Sequence, residues 1–353
     1  MPKDHESVPL PTTDEPVDHL PEPFAPDQMV RCDECLRANP PTRVNCLYCG
    51  VVLPQNETTV NLQKPALRPL EKWEQGYNNI LQPAAANASG QIEDAVLREA
   101  SDLLRLSPPD LTRILAAGMP LPLARAATMD EAALVERRLR GLGIETCIVA
   151  EAPPGTEAIG PLRVRALEID DEGIRAFQTP ETPATAILWS ELVLLVVGRL
   201  IVKRVEMKEQ KGARAEHRIL DSSEFVTDET VVDFYTSKHT ATHRIAANSF
   251  DFSCLGEQKG LVAAENILTL LKLFRQRAPQ AVYDDSFHSM RKALEAVWPA
   301  EQQNESSGWR RERPGKYSIG SATELSNEMQ FLRYSRLRYH FQVELGAETH
   351  DEA

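Results

Sequence analysis

A chain of 353 residues with 42% apolar side chains can build two or three packed domains, and 25 prolines against 17 glycines point to linkers between them. The formal net charge of -13 opposes non-specific adhesion to nucleic acid or to an anionic membrane surface. The most apolar stretch, around Leu192 to Gly198, falls short of the roughly 20 residues of a membrane helix, so no membrane span is expected.

Residues 1–28 are acidic and proline-punctuated, with neither the apolar run of a signal peptide nor enough apolar surface to offset the entropy of ordering. They read as a disordered acidic arm. Six cysteines, four of them in two CxxC pairs, do not resemble a secreted disulfide framework, so a reducing, cytoplasmic location is the expectation.

Residues 29–54 hold those pairs, Cys32 with Cys35 and Cys46 with Cys49, in RCDECLRANPPTRVNCLYCG. A CxxC turn puts both sulfurs on one side of a tight loop, and two such loops complete a tetrahedral thiolate cage for Zn2+. Thiolates fill all four positions, so the metal is structural and has no place for a substrate. A redox reading would want one CxxC opening a helix, which Pro40 and Pro41 oppose. The segment resembles the four-cysteine finger of the nuclear-pore Ran-binding-protein type, with Cys32, Cys35, Asn39, Cys46 and Cys49 on that family's positions. Val30 stands where the RNA-stacking tryptophan of some members lies, and Leu36 with Arg37 replaces the Thr-Phe of ubiquitin-binding members. The resemblance therefore implies metal and fold without either partner. A generic zinc ribbon with CLYCG as its second knuckle describes the segment nearly as well.

Residues 55–90 mix prolines, amides and small residues and read as linker, with Trp73, Tyr77, Ile80 and Leu81 able to dock on a neighbour. Residues 91–152 read as a small α/β domain. Val96, Leu97, Ala100, Leu103 and Leu104 recur at helical spacing; Ser107 caps a second helix with Pro108 at its first position. A strand from Leu121 to Ala126 leads to a third helix with a capping box of Thr128 and Glu131, then a strand from Ile144 to Val149. This order, with the run PLPLARAATMDEAALVERRLRGLGIETCIV, resembles the carboxy-terminal domain of the ribosomal stalk protein. That fold is shared by an adaptor of a bacterial ATP-dependent protease.

From Leu162 the apolar period becomes two. Residues 161–278 read as strands closed by a helix from Leu261 to Phe274, whose inner face is Leu261, Ala264, Ile267, Leu268, Leu271 and Phe274. Strands followed by one helix resemble the pleckstrin-homology superfold, which implies a bent β-barrel plugged by that helix. Residues 283–343 read as a helical extension, with a polar loop from Glu301 to Tyr317 and a final helix NEMQFLRYSRLRYHFQV; residues 344–353 form an acidic tail. The final helix carries Leu325, Met329, Leu332, Arg336 and Tyr339 along one face, and Arg333, Arg336 and His340 on another. Docking with aliphatic stems inward is preferred to phosphate contact.

The fold class is thus multidomain α+β. No catalytic constellation emerges: His239 and His243 lack the acid of an HExxH site, and no phosphate loop or nucleophile elbow stands in its required context. The leading expectation is a non-enzymatic interaction or regulatory protein that binds other proteins, with no small-molecule substrate identified. The alternatives are a nucleic-acid-associated factor using the finger and the basic final helix, and an enzyme of unrecognised type.

Overall fold

The structure, a computed structural model, describes residues 24–54, 65–71, 74–82, 93–151, 160–179, 181–211, 217–238, 241–313 and 316–351. The acidic arm up to residue 23, much of the 55–90 segment and His239 lie outside them. The chain divides into two compact units, Met1–Pro65 and Ala66–Ala353.

In the first unit, β1 (Val30–Arg31) pairs antiparallel with β2 (Ala38–Asn39), and the buried cluster consists of Cys32, Cys46 and Leu53. That is too little apolar area to order a domain by burial alone.

The second unit begins with an α/β layer. β3 (Tyr77–Leu81) is followed by α1 (Asp94–Leu104), α2 (Pro108–Leu115), β4 (Pro122–Ala126), α3 (Met129–Gly141) and β5 (Thr146–Ala150). β3 is the central strand, antiparallel to both β4 and β5. This corrects the linker expectation for residues 77–81. YNNIL places two asparagines where a strand signal would want apolar residues, yet four of its five positions are buried, with one polar atom of each asparagine side chain bonded inside. Asn79 donates to the Ala132 carbonyl at 2.9 Å, and Asn78 accepts from the Trp298 indole at 2.9 Å. Ser107 caps α2 as expected, its Oγ accepting from the Asp110 N–H at 3.3 Å. Thr128 likewise caps α3, but Glu131 completes no reciprocal box: its carboxylate accepts from the N–H groups of Leu67 (2.7 Å) and Ala127 (3.1 Å).

Next come β6 (Leu162–Val164), β7 (Ala166–Ile169), β8 (Gly173–Phe177) and β9 (Thr185–Leu188), of which β7, β8 and β9 make a three-stranded antiparallel sheet. β10 (Leu192–Lys211) and β11 (His217–Thr236) form one hairpin of 20-residue strands, and β12 (His243–Ala246) joins β11 antiparallel and β6 parallel. β11 runs unbroken from His217 to Thr236.

The inner half of the hairpin is buried on both faces. Leu195, Val232 and Phe234 face one core, which α4 (Ala263–Arg277) covers with Ile267, Leu270, Leu271 and Phe274. Leu194, Val196, Val231 and Tyr235 face another, shared with the α/β layer. Burial on two sides explains why the run reads as continuously apolar in sequence. Leu261 and Leu268, expected on the inner face of α4, are exposed: Leu261 precedes the first turn, and Leu268 points away from the sheet.

β13 (Val282–Asp284) pairs parallel with β10, and α5 (Phe287–Glu295) leads to β14 (Glu301–Arg313) and β15 (Lys316–Ser326). This hairpin replaces the expected polar loop, and β15 pairs with β10 from Val202 to Lys211. Alternating polar residues hid it, since neither face of the outer ribbon is a core. Leu325 accordingly sits in a strand rather than on the final helix. No sheet closes into a barrel among the described residues: β10 and β11 run past the core and pair outward with β15.

α6 (Glu328–Asp351) extends through most of the segment expected to be an acidic tail. Its inner face is Gln330, Phe331, Leu332, Tyr334, Ser335 and Leu337, which keeps Leu332 of the expected stripe, and Tyr339 of that stripe stacks on Tyr235 with centroids 4.5 Å apart. Polar bonds fix that orientation. Arg338 and Tyr334 both donate to the buried Asp284 carboxylate, at 2.5 Å and 3.0 Å. Tyr235 and Ser335 share a hydroxyl bond of 2.8 Å, and the Asn327 side chain spans the β10 backbone at Arg199 and Ile201. Beside them Arg244, enclosed by the core, makes two bonds to Asp233 at 2.6 and 2.8 Å and one to Glu328 at 3.0 Å.

Candidate metal centre

Two matching turns build the cysteine cage. In the first, the Leu36 N–H donates to the Cys32 carbonyl at 2.9 Å and Cys32 N–H to the Arg37 carbonyl at 3.0 Å. In the second, Gly50 N–H donates to the Cys46 carbonyl at 3.0 Å and Cys46 N–H to the Val51 carbonyl at 2.8 Å. The two turns carry the same bonds at the same spacing. The residue after each second cysteine adopts positive φ, 58° at Leu36 and 76° at Gly50.

Asn39 joins the turns. Its Nδ2 donates to the Arg37 carbonyl at 2.9 Å and lies 3.5 Å from Cys46 Sγ, and its Oδ1 accepts from the Leu47 N–H at 2.8 Å. Asn39 is fully buried. The backbone N–H of Tyr48 reaches Cys46 Sγ at 3.4 Å.

These turns bring Cys32, Cys35, Cys46 and Cys49 together with all four sulfurs within 4.8 Å of one another. The pairs Cys32 with Cys49 and Cys35 with Cys46 each stand 3.5 Å apart. A tetrahedron with metal–sulfur bonds near 2.3 Å has edges of about 3.8 Å, within that range. The donor set therefore fits a metal ion with a taste for thiolate. Among the described residues no other group of His, Cys, Asp or Glu converges in this way.

The protonation pattern agrees. Burial opposes charge on Cys46, but the backbone N–H groups of Cys49 and Tyr48 outweigh it and bring that thiol down to about 6. At Cys49 the Val51 backbone favours the thiolate, yet burial and the neighbouring sulfurs push it up to about 12. Four sulfurs this close thus resist full deprotonation unless a cation shares their charge, which links metal uptake to proton release.

The other residues singled out in the sequence are scattered. His243 is buried and stacked on the Phe234 ring, with centroids 5.0 Å apart. Arg333 is turned inward, its Nε 3.1 Å from Glu151 Oε1, and its side chain is 13% exposed. Outside that set, Arg138 and Arg140 of α3 pair with Glu99, Glu136 and Glu145 across 3.6 to 3.8 Å, Arg140 exposed and Arg138 largely covered. Asp284 and Asp233, neither of them a candidate from sequence, are buried and charge-paired. Their only sequence signal is an acid inside an apolar β run.

No helix among the described residues is long and apolar enough to cross a membrane. No known protein family, curated protein or solved structure matches the chain.

Proposed function

We propose that the chain is a non-enzymatic, cytoplasmic interaction or regulatory protein whose first unit folds around a structural Zn2+ and presents a contact surface to other proteins. The observation that carries this reading is the four-thiolate cage itself, which leaves no open coordination position for a substrate or an activated water. Around the cage Leu36, Leu47, Tyr48 and Val51 are exposed, an unusual apolar share for so small a unit. The two matching knuckles tied by Asn39 favour the Ran-binding-protein type of finger over a generic ribbon. In the second unit, the order of helices and strands around β3 supports the ribosomal-stalk resemblance. Two sheets packed on α4 support a pleckstrin-like domain in open form.

A nucleic-acid role draws support from a different place than the final helix. Strand register sets Lys211 beside Tyr317, Tyr317 beside Arg311, and Ser318 beside Arg310, at the outer end of the β10, β11, β14 and β15 ribbon. The inner half of the same ribbon carries Glu206, Glu224, Glu301, Glu305 and Glu324. Such a basic-tipped β-ribbon suits a nucleic-acid groove.

Capture from native lysate by the full chain, compared with a chain lacking residues 1–54, separates the two. Protein partners lost with the deletion support the leading reading. Captured nucleic acid that salt releases, and that Arg310→Glu with Arg311→Glu abolishes, supports the second. Equal protein capture by both chains would refute a partner-binding role for the finger.

A further inference from the structure

A cavity of about 350 Å³ opens in the second unit among the segment 67–71, the end of α1, β4, the turn after α5 and α6. Its volume is at the lower end of those that take small molecules. Leu67, Leu106, Leu123 and Val297 supply apolar wall, while Arg105, Arg125 and Arg333 bring guanidinium groups to it.

Two features set this cavity apart from a packing defect. First, it gathers guanidinium groups: besides Arg68, which Glu74 pairs, it is lined by Arg105, Arg125 and Arg333. Arg125 donates to both Glu151 oxygens at 2.7 Å, and Arg333 leans on the same carboxylate at 3.1 Å, with the Glu301 charge also acting on Arg333. Burial holds the Arg333 guanidinium below its ordinary range, and neighbouring Arg125 adds to the effect. The Arg105 guanidinium has no hydrogen-bond or ion-pair partner among the described residues. Second, backbone strain collects here. Of the three non-glycine residues with positive φ among the described residues, Leu67 (36°) and Arg105 (56°) both line this cavity. Arg105 ends α1 at a position where glycine is the unstrained choice. Such strain in a bulky residue is typical of functional positions.

Glu71 and Glu301 also line the cavity, which disfavours a multiply charged anion. We infer that the cavity is a binding site for a small organic monoanion, a carboxylate with an apolar body, held by Arg105, Arg125 and Arg333 with its body against Leu67, Leu106 and Leu123. Glu151 positions the two buried guanidinium groups and is not itself a contact.

Calorimetric titration of the full-length protein tests this with hexanoate and benzoate, with hexanamide as the uncharged isostere and citrate as the multiply charged one. The expected result is saturable binding of a monocarboxylate at one site per chain, with hexanamide and citrate each weaker by about tenfold or more. Arg105→Ala, at an exposed side chain, should weaken binding about tenfold with an unchanged melting midpoint, and Glu71→Gln should bind at least as tightly as the parent. The inference is overturned if neither carboxylate binds by about 10 mM, if hexanamide or citrate binds as well as they do, or if Arg105→Ala binds unchanged. A lowered melting midpoint in Arg105→Ala would shift the decision to Glu71→Gln, where weaker binding would overturn it.

Discussion

The two units reach order by opposite routes. The second unit fills both faces of the β10 and β11 hairpin with apolar side chains and buries charge only where a partner meets it, as at Asp233 and Arg244. The first unit has Cys32, Cys46 and Leu53 as its buried cluster, and its order rests on two short turns whose sulfurs converge. One unit is held by area, the other by two hydrogen-bonded turns that bring four thiols together. A short segment can thus be as well defined as a large domain, but its definition hangs on the state of four atoms.

Metal removal should therefore break the comparison most sharply. Structural zinc in small fingers contributes about 10 to 16 kcal/mol near neutral pH, more than a unit with so small a core can replace. Chelation, or Cys46→Ser, should erase hydrogen-exchange protection at Leu36, Tyr48 and Gly50 while the amides of β10 and β11 stay protected. Acid should do the same, since protons compete for the thiolates, and re-neutralisation with metal should restore the unit. Freshly purified protein that holds under about half a zinc per chain, with its thiols reactive, would refute the site.

The converse test lies in the second unit. Asp233→Ala strands the enclosed Arg244 with only the half-exposed Glu328 as partner, and should cost about 3 to 5 kcal/mol in denaturant unfolding. Replacing both by apolar residues of similar volume, Asp233→Leu with Arg244→Met, should recover most of that loss. Metal content of the finger should be unaffected in either variant. If the double variant unfolds as easily as the single one, the pair contributes more than mutual compensation of two buried charges.

The same contrast explains what the sequence made legible. Two CxxC pairs at a fixed spacing state their geometry outright, because each turn is local. The α/β helices were equally readable, since Ser107 and Thr128 act within three residues of the groups they cap. β3 was not, because Asn78 and Asn79 become tolerable inside only through partners at Trp298 and Ala132, far away in the chain. The β14 and β15 hairpin was missed for the opposite reason: it pairs along β10 beyond the core, so no apolar alternation marks it. The strain at Arg105 leaves no trace in composition at all, since arginine at a helix end is ordinarily a favourable charge.

The smallest expected effect sharpens the finger side of the comparison. Leu36 and Gly50 occupy equivalent places after the second cysteine of each knuckle, with φ of 58° and 76°, yet only one of them is glycine. A left-handed leucine costs about 1 to 2 kcal/mol, part of which glycine would forfeit through its freer unfolded state. Leu36→Gly should thus stabilise the folded finger by roughly 0.5 to 1 kcal/mol, read as metal affinity two- to fivefold tighter in a competition with a chelator. Packing does not repay the strain, because the Leu36 side chain is 61% exposed. If a partner repays it, Leu36→Gly will hold metal more tightly and capture that partner less well. A variant that gains metal affinity with capture intact would place the contact surface on Leu47 and Tyr48 instead, whereas unchanged metal affinity would show that the first knuckle accommodates leucine without strain.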